Sequence, residues 1–236
     1  MSPKSSSLFH FTRSLEFLKG IVQNGFKPRY CLEDTRYLGI NYIGLPMCCF
    51  CDIPISRIQE HTSFYGEYGL GMTKDWGARS RLEPLLYAPA DGAITSFINY
   101  YVNEKRDVHP DQKEMDDGHL ARLLGLTKPV HGNMLVSGKV TKKDFYQENE
   151  WRFVPPNYEI LLENEFEAGK DIGNIEMESF ALKFSPLDVK YIFVRSDAEI
   201  PVIFDFIHNN LGHWPLNEIK ILTSRITSLE TIAKDV

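Results

Sequence analysis

Glu148-Asn149-Glu150-Trp151-Arg152-Phe153 is the stretch whose residue types and spacing come nearest to chemistry. It follows Tyr146-Gln147 and stops at Pro155-Pro156, so a run of charge and aromatic bulk is bounded by proline, as in a short strand with a fixed end. On a strand, side chains alternate: Glu148, Glu150 and Arg152 share one face and Asn149, Trp151 and Phe153 the other. That gives an apolar face for the core and a carboxylate pair for a cleft. Two adjacent carboxylates repel, so the pair needs a cation, a proton or a polar ligand to hold it. The alternative is an edge strand of solvated glutamates with Arg152 as an ion-pair partner.

The elements that would position this pair can be read along the chain. Residues 8–12 alternate apolar and polar, predicting a first strand with His10 and Thr12 on one face. A helix follows, capped by Ser14, with Leu15, Leu18 and Val22 as its buried stripe and Gly25 as its stop. Residues 27–46, rich in Arg, Tyr and Gly, read as a long loop, and 47–52 as a short apolar strand leading through Pro54 into a helix. In Tyr65-Gly66-Glu67-Tyr68-Gly69-Leu70-Gly71-Met72 the glycines are too irregular for a dinucleotide fingerprint. They permit either a tight bend near a ligand or a twisted, bulged strand. Residues 93–105 have helical periodicity with Ile94, Phe97, Ile98 and Tyr101 on one face, and a charged excursion at about 106–118 leads to a short helix at 119–124. His109, Asp116, Asp117 and His119 match no metal-ligand spacing and read as a solvated loop. Residues 159–178 are acidic and weakly periodic; 181–184 and 189–194 read as strands, 200–211 as a helix and 218–223 as a last strand. Short strands interspersed with helices, without βαβ spacing, indicate an α+β fold: one domain over 1–236, with a mixed or antiparallel sheet and flanking helices.

Composition narrows the function classes. A 236-residue chain that is 43% hydrophobic can build a real core, and a net charge of −6 disfavours nucleic-acid binding through bulk electrostatics. No run suits a signal peptide or a membrane span, so a cytoplasmic location is expected. Cys48, Cys49 and Cys51 are too crowded for a disulfide framework or a zinc site and read as small residues of a reduced strand, metal-free.

Taken together, His10-Phe11-Thr12, Cys49-Phe50-Cys51-Asp52-Ile53-Pro54, Tyr65-Gly66-Glu67-Tyr68-Gly69-Leu70-Gly71 with Trp76 after it, and Glu150-Trp151-Arg152 resemble the AbiGi family of abortive phage-resistance proteins over about residues 8–195. The family label is antitoxin, a genetic role rather than a chemistry, and it implies a partner toxin. More distantly, the opening strand with His-x-Thr and the helix after it resemble DarT-type ADP-ribosyltransferases and RNA 2′-phosphotransferases. That likeness implies an ADP-ribosyltransferase-like fold and an NAD site: His10, with Thr12, on the adenine-side ribose, Tyr65 or Tyr68 stacked on nicotinamide, Glu150 as the catalytic carboxylate and Glu148 completing a Glu-x-Glu pair. It also implies a macromolecular acceptor for ADP-ribose. Trp151-Arg152 after the glutamate departs from the usual transferase pattern. A fixed anion beside the ribose would stabilise the oxocarbenium-like state left when nicotinamide departs. Two functions therefore stand side by side: an NAD-dependent mono-ADP-ribosyltransferase in phage defence, and a non-catalytic antitoxin that neutralises a toxin by protein contact.

Overall fold

Ser7–Thr12 is a strand, as its alternation predicts, and it lies antiparallel to Tyr68–Thr73 with Leu8 opposite Met72 and Thr12 opposite Tyr68. The computed structural model describes residues 5–103, 110–136 and 139–234. Tyr68–Thr73 also pairs antiparallel with Val189–Val194, which carries Ile226–Ser228 in parallel, so the sheet is mixed. The glycines of the Tyr68–Thr73 strand have a packing reason. A Cβ on Gly69 would stand 2.7 Å from the Phe11 ring, and one on Gly71 would stand 2.9 Å from Phe9 and Tyr191. Large aromatic side chains on the neighbouring strands occupy that space instead.

Helix Leu15–Asn24 is capped as its sequence signals: the Phe17 N–H donates to the Ser14 hydroxyl at 3.2 Å, Leu18 and Val22 are buried, and Gly25 ends the helix at φ +80°. Helix Ile200–Asn210 buries Ile203 and Ile207. Residues 218–223, expected to be a strand, lie instead in helix Leu216–Thr223, because Ile219 and Leu222 are the residues buried and their spacing of three suits a helix. These elements, with Cys49–Leu82 and Ala181–Val236, form one compact unit.

A second unit comprises Pro28–Cys48 and Glu83–Phe180. Where a loop over 27–46 was expected there are strands: Arg29–Glu33 runs antiparallel to Ile43–Cys51, with Glu33 opposite Ile43. Ile43–Cys51 is buried along almost its whole length, so its sequence shows no alternation. That strand contributes residues to both units. Glu150–Phe153 pairs antiparallel with Glu83–Pro84, and Leu86–Ala88 pairs in parallel with Thr127–Pro129. The charged excursion is helical over Pro110–Gly125, in place of the expected loop and short helix, and the acidic segment forms helix Glu163–Glu176. His109 lies outside the described residues. In helix Ala93–Asn103 the buried face carries Thr95 and Ile98, whereas Phe97, expected to share it, is exposed. Residues 181–184, read as a strand, contribute a single bridge from Leu182 to Phe26. The fold is thus α+β with a mixed sheet, and among the described residues no helix is long and apolar enough to cross a membrane.

Candidate functional site

The two glutamates do meet, but not on a strand face. Glu148 closes a 3-10 turn over Phe145–Glu148, Asn149 takes left-handed backbone at φ +46°, and the strand begins only at Glu150. Asparagine tolerates that conformation better than most residues, and the reversal breaks the alternation the sequence implies. The expected faces are therefore corrected: Glu150 and Arg152 are buried at 5% and 1% exposure, while Trp151 and Phe153 are half-buried. The carboxylates face inward, into a set of cations.

Arg152 donates from Nε to Glu150 Oε1 at 2.7 Å, from Nη1 to the Gly125 carbonyl at 3.0 Å and from Nη2 to Glu33 Oε2 at 3.1 Å. Lys128 reaches Glu150 Oε2 at 2.7 Å and Glu148 Oε2 at 3.3 Å, and Lys143 reaches Glu148 Oε1 at 2.5 Å. Every oxygen of both carboxylates has a cation beside it. Among the described residues, three carboxylates, those of Glu33, Glu148 and Glu150, face three cations, those of Lys128, Lys143 and Arg152. The Glu150 N–H donates to the Tyr87 hydroxyl at 2.8 Å, and the Lys128 ammonium sits 4.5 Å from the centre of the Phe145 ring. Burial alone would push the Glu150 carboxyl up, but the Arg152 guanidinium and Lys128 ammonium outweigh it and hold the group far below the ordinary glutamate value. Glu148 is likewise pushed up by burial and brought lower by Lys128 and Lys143. Lys128, Lys143 and Glu33 are the members that sequence reasoning missed. The available signal was the pair itself, which required cations without saying where along the chain they were.

The proposed ribose and nicotinamide residues all belong to the first unit, whereas Glu148 and Glu150 belong to the second. His10 is held by its surroundings: Nδ1 lies 2.8 Å from the Cys49 carbonyl, and the ring meets Phe26 at 5.1 Å and Phe50 at 5.4 Å. A carbonyl can only accept, so Nδ1 carries the proton. Burial lowers the His10 pKa from its ordinary value, partly offset by the Cys49 carbonyl. Trp76 completes this aromatic cluster, and its Nε1 donates to the Lys183 carbonyl at 3.0 Å. Tyr68 lies directly opposite Thr12, so the two share the face of His10, and its hydroxyl donates to Glu199 Oε1 at 2.8 Å. Tyr65 packs elsewhere, its ring tilted against His61 at 4.4 Å beside the core of Phe9, Phe11 and Ile58. Of the two tyrosines, Tyr68 is the one that shares the His10 and Thr12 face. Cys48 and Cys51 are buried, Cys49 is half-buried, Cys31 is exposed, and all four are free thiols. Burial pushes the Cys48 thiol up, which keeps it protonated and inert. Among the described residues no group of His, Cys, Asp or Glu could hold a metal ion.

Residues 24–195 match the family described as "Putative abortive phage resistance protein AbiGi, antitoxin", a span of more than half of the chain. The chain belongs to the AbiGi family. It is also 26% identical over 246 aligned residues to the "Abortive phage resistance protein AbiGi" of Lactococcus lactis subsp. cremoris, covering 89% of this chain and 99% of that protein. No solved structure matches. Of the residues that carried the resemblance, Glu150 and Arg152 belong to the buried ion network, and His10, Phe50 and Trp76 to the aromatic cluster. Asp52 is ion-paired to Lys74 at 2.6 Å. The residues that carried the resemblance are therefore largely ones that pack or pair within a unit.

Proposed function

We propose that this chain serves abortive phage resistance as an antitoxin that restrains a partner toxin by protein contact. The observation that carries this reading is the engagement of both oxygens of Glu150 by Arg152 and Lys128 at 2.7 Å. A carboxylate stabilises developing positive charge on a sugar only if its own charge is available in the transition state. Two cations in contact with it already neutralise that charge. The family is described as an antitoxin, which presupposes a toxin to act on.

The test is growth of host cells that express the chain together with its genomic neighbours, each gene removed in turn, followed by phage challenge. The antitoxin reading expects that removing this chain makes a neighbour toxic and that restoring it relieves the toxicity. Toxicity from this chain alone would overturn it.

A second reading, an NAD-dependent ADP-ribosyltransferase acting on a macromolecular acceptor, draws support from the common face of His10, Thr12 and Tyr68. In this reading His10 and Thr12 take the ribose and Tyr68 the nicotinamide, while Glu150 and Glu148 are the carboxylates that the transferase likeness implies. Nicotinamide release by the purified chain, lost by a hundredfold or so in Glu150→Gln while folding persists, would favour it over the antitoxin. No turnover and no NAD-induced rise in melting temperature is the outcome the antitoxin reading expects.

A further inference from the structure

Helix Glu163–Glu176 has two faces that do different things. Inward, it buries Phe166 and Gly173, and Tyr30 lies so near that a Cβ on Gly173 would stand 2.5 Å from its ring. Mid-helix glycine costs about 1 kcal/mol of helix propensity relative to alanine, so close packing on this face is obtained against the helix's own preference. Outward, Ile172 and Ile175 are 65% and 71% exposed. β-branched residues are weaker helix formers than the lysine, glutamate or alanine that a solvent face of such a helix could carry, so these isoleucines serve neither the helix nor the core. Their positions extend a stripe, Glu165, Ala168, Ile172 and Ile175, with the alternating three- and four-residue steps of a helix-pairing seam.

On the helix itself, the charge beside this seam is of one sign. Asp171 and Glu176 flank it, both exposed, and Glu165 begins it. Lys170, the helix's single cationic residue, is turned away, 2.5 Å from Glu167 and 5.5 Å from the centre of the Phe166 ring. Just past the helix, Glu178 has Arg29 at 3.7 Å, so the nearby cation is already engaged. A second copy of the chain laid on this seam would set Asp171 and Glu176 against acidic residues, which like-charge repulsion disfavours. A partner with lysine or arginine at those flanking positions gains both apolar burial and charge complementarity.

We propose that the outward face of Glu163–Glu176 is a docking surface for a basic amphipathic helix of a partner protein. The inference rests on the antitoxin reading, and it names the chemistry the toxin presents: an apolar seam flanked by lysine or arginine over about four turns, the length of this helix.

The experiment uses the full chain and the double variant Ile172→Ser with Ile175→Ser. Both positions are exposed, and a circular dichroism spectrum like that of the wild type establishes that the variant folds. Two synthetic helical peptides with leucine at the seam positions, one with lysine at the flanking positions and one with glutamate, are titrated by fluorescence anisotropy. The lysine peptide is expected to bind the wild type, to weaken with added salt, and to lose at least about tenfold in affinity with the double variant. The glutamate peptide is expected not to bind. Equal binding of the lysine peptide to wild type and variant, or binding of both peptides alike, would overturn the proposal. So would a concentration-dependent dimer of the wild type that the variant loses, since the occupant would then be a second copy. The toxicity-relief assay separates the two levels of the argument. A variant that has lost peptide binding yet still relieves toxicity removes this face and leaves the antitoxin reading standing. A wild type that relieves no toxicity defeats both.

Discussion

At the scale of single residues, the buried ion network makes strong demands because its charges share partners: Lys128 bridges Glu148 and Glu150, and Arg152 bridges Glu150 and Glu33. Removing one member takes a close charged partner from others that stay buried. Glu150→Gln takes a charged partner from both Arg152 and Lys128, at 1% and 7% exposure, leaving Glu33 beside the first and Glu148 beside the second, and is expected to cost about 3 kcal/mol of stability by urea denaturation. Adding Lys128→Met should recover part of that loss; strictly additive costs would show that the two do not interact. The same network sets an acid limit. Glu148 and Glu150 are brought lower than 4.5, so the unfolded chain binds protons there before the folded one does. Their contribution is fully present above pH 4.5 and is lost as the pH falls toward and through the lowered values. His10 acts in the same direction at higher pH: its pKa is depressed from 6.5, so stability begins to fall as the pH drops below 6.5 and the unfolded histidine charges first. His10→Gln should flatten the stability profile just below pH 6.5 while leaving the carboxylate limb in place. An unchanged slope there would mean that His10 titrates normally in the fold.

At the scale of elements, the turn at Asn149 decides what the site is. Its left-handed backbone carries the chain from the 3-10 turn holding Glu148 into the strand holding Glu150, so the two carboxylates flank Lys128. Asn149→Gly should be nearly neutral and Asn149→Val should destabilise by about 1–2 kcal/mol, because valine in this region clashes with its own backbone. Equal melting temperatures for the two variants would contradict the turn. The strand Tyr68–Thr73 shows a different constraint, since its glycines admit neighbouring rings, whereas the glycines at helix ends serve backbone geometry. One residue type thus reads alike in sequence and acts through two distinct physical causes.

At the scale of the molecule, each unit is assembled from separate pieces of chain. The first takes Met1–Lys27, Cys49–Leu82 and Ala181–Val236, and the second takes Pro28–Cys48 and Glu83–Phe180. A fragment ending at Phe180 therefore lacks Val189–Val194, the antiparallel partner of Tyr68–Thr73, and leaves the strand bearing the buried Leu70 and Met72 with an open edge. Such a fragment is expected to be aggregation-prone and rapidly cleaved by protease within residues 1–27 and 49–82. A soluble, protease-resistant fragment 1–180 would contradict the interleaved assembly.

The sequence by itself determined the elements whose signals are local. Alternation placed Ser7–Thr12, the Ser14 cap and Gly25 bounded the first helix, and the periodicity of 200–211 placed Ile200–Asn210. It also determined family membership, since residues 24–195, which hold the cysteine-rich strand and Glu150-Trp151-Arg152, match the AbiGi family. Which way the glutamates face was decided only by tertiary structure. The cations that make burial tolerable, Lys128 and Lys143, come from other strands, and Glu33 comes from more than a hundred residues upstream, its bond to Arg152 closing the network. Pairing energy between buried charges depends on separation in space, and a sequence records only separation along the chain.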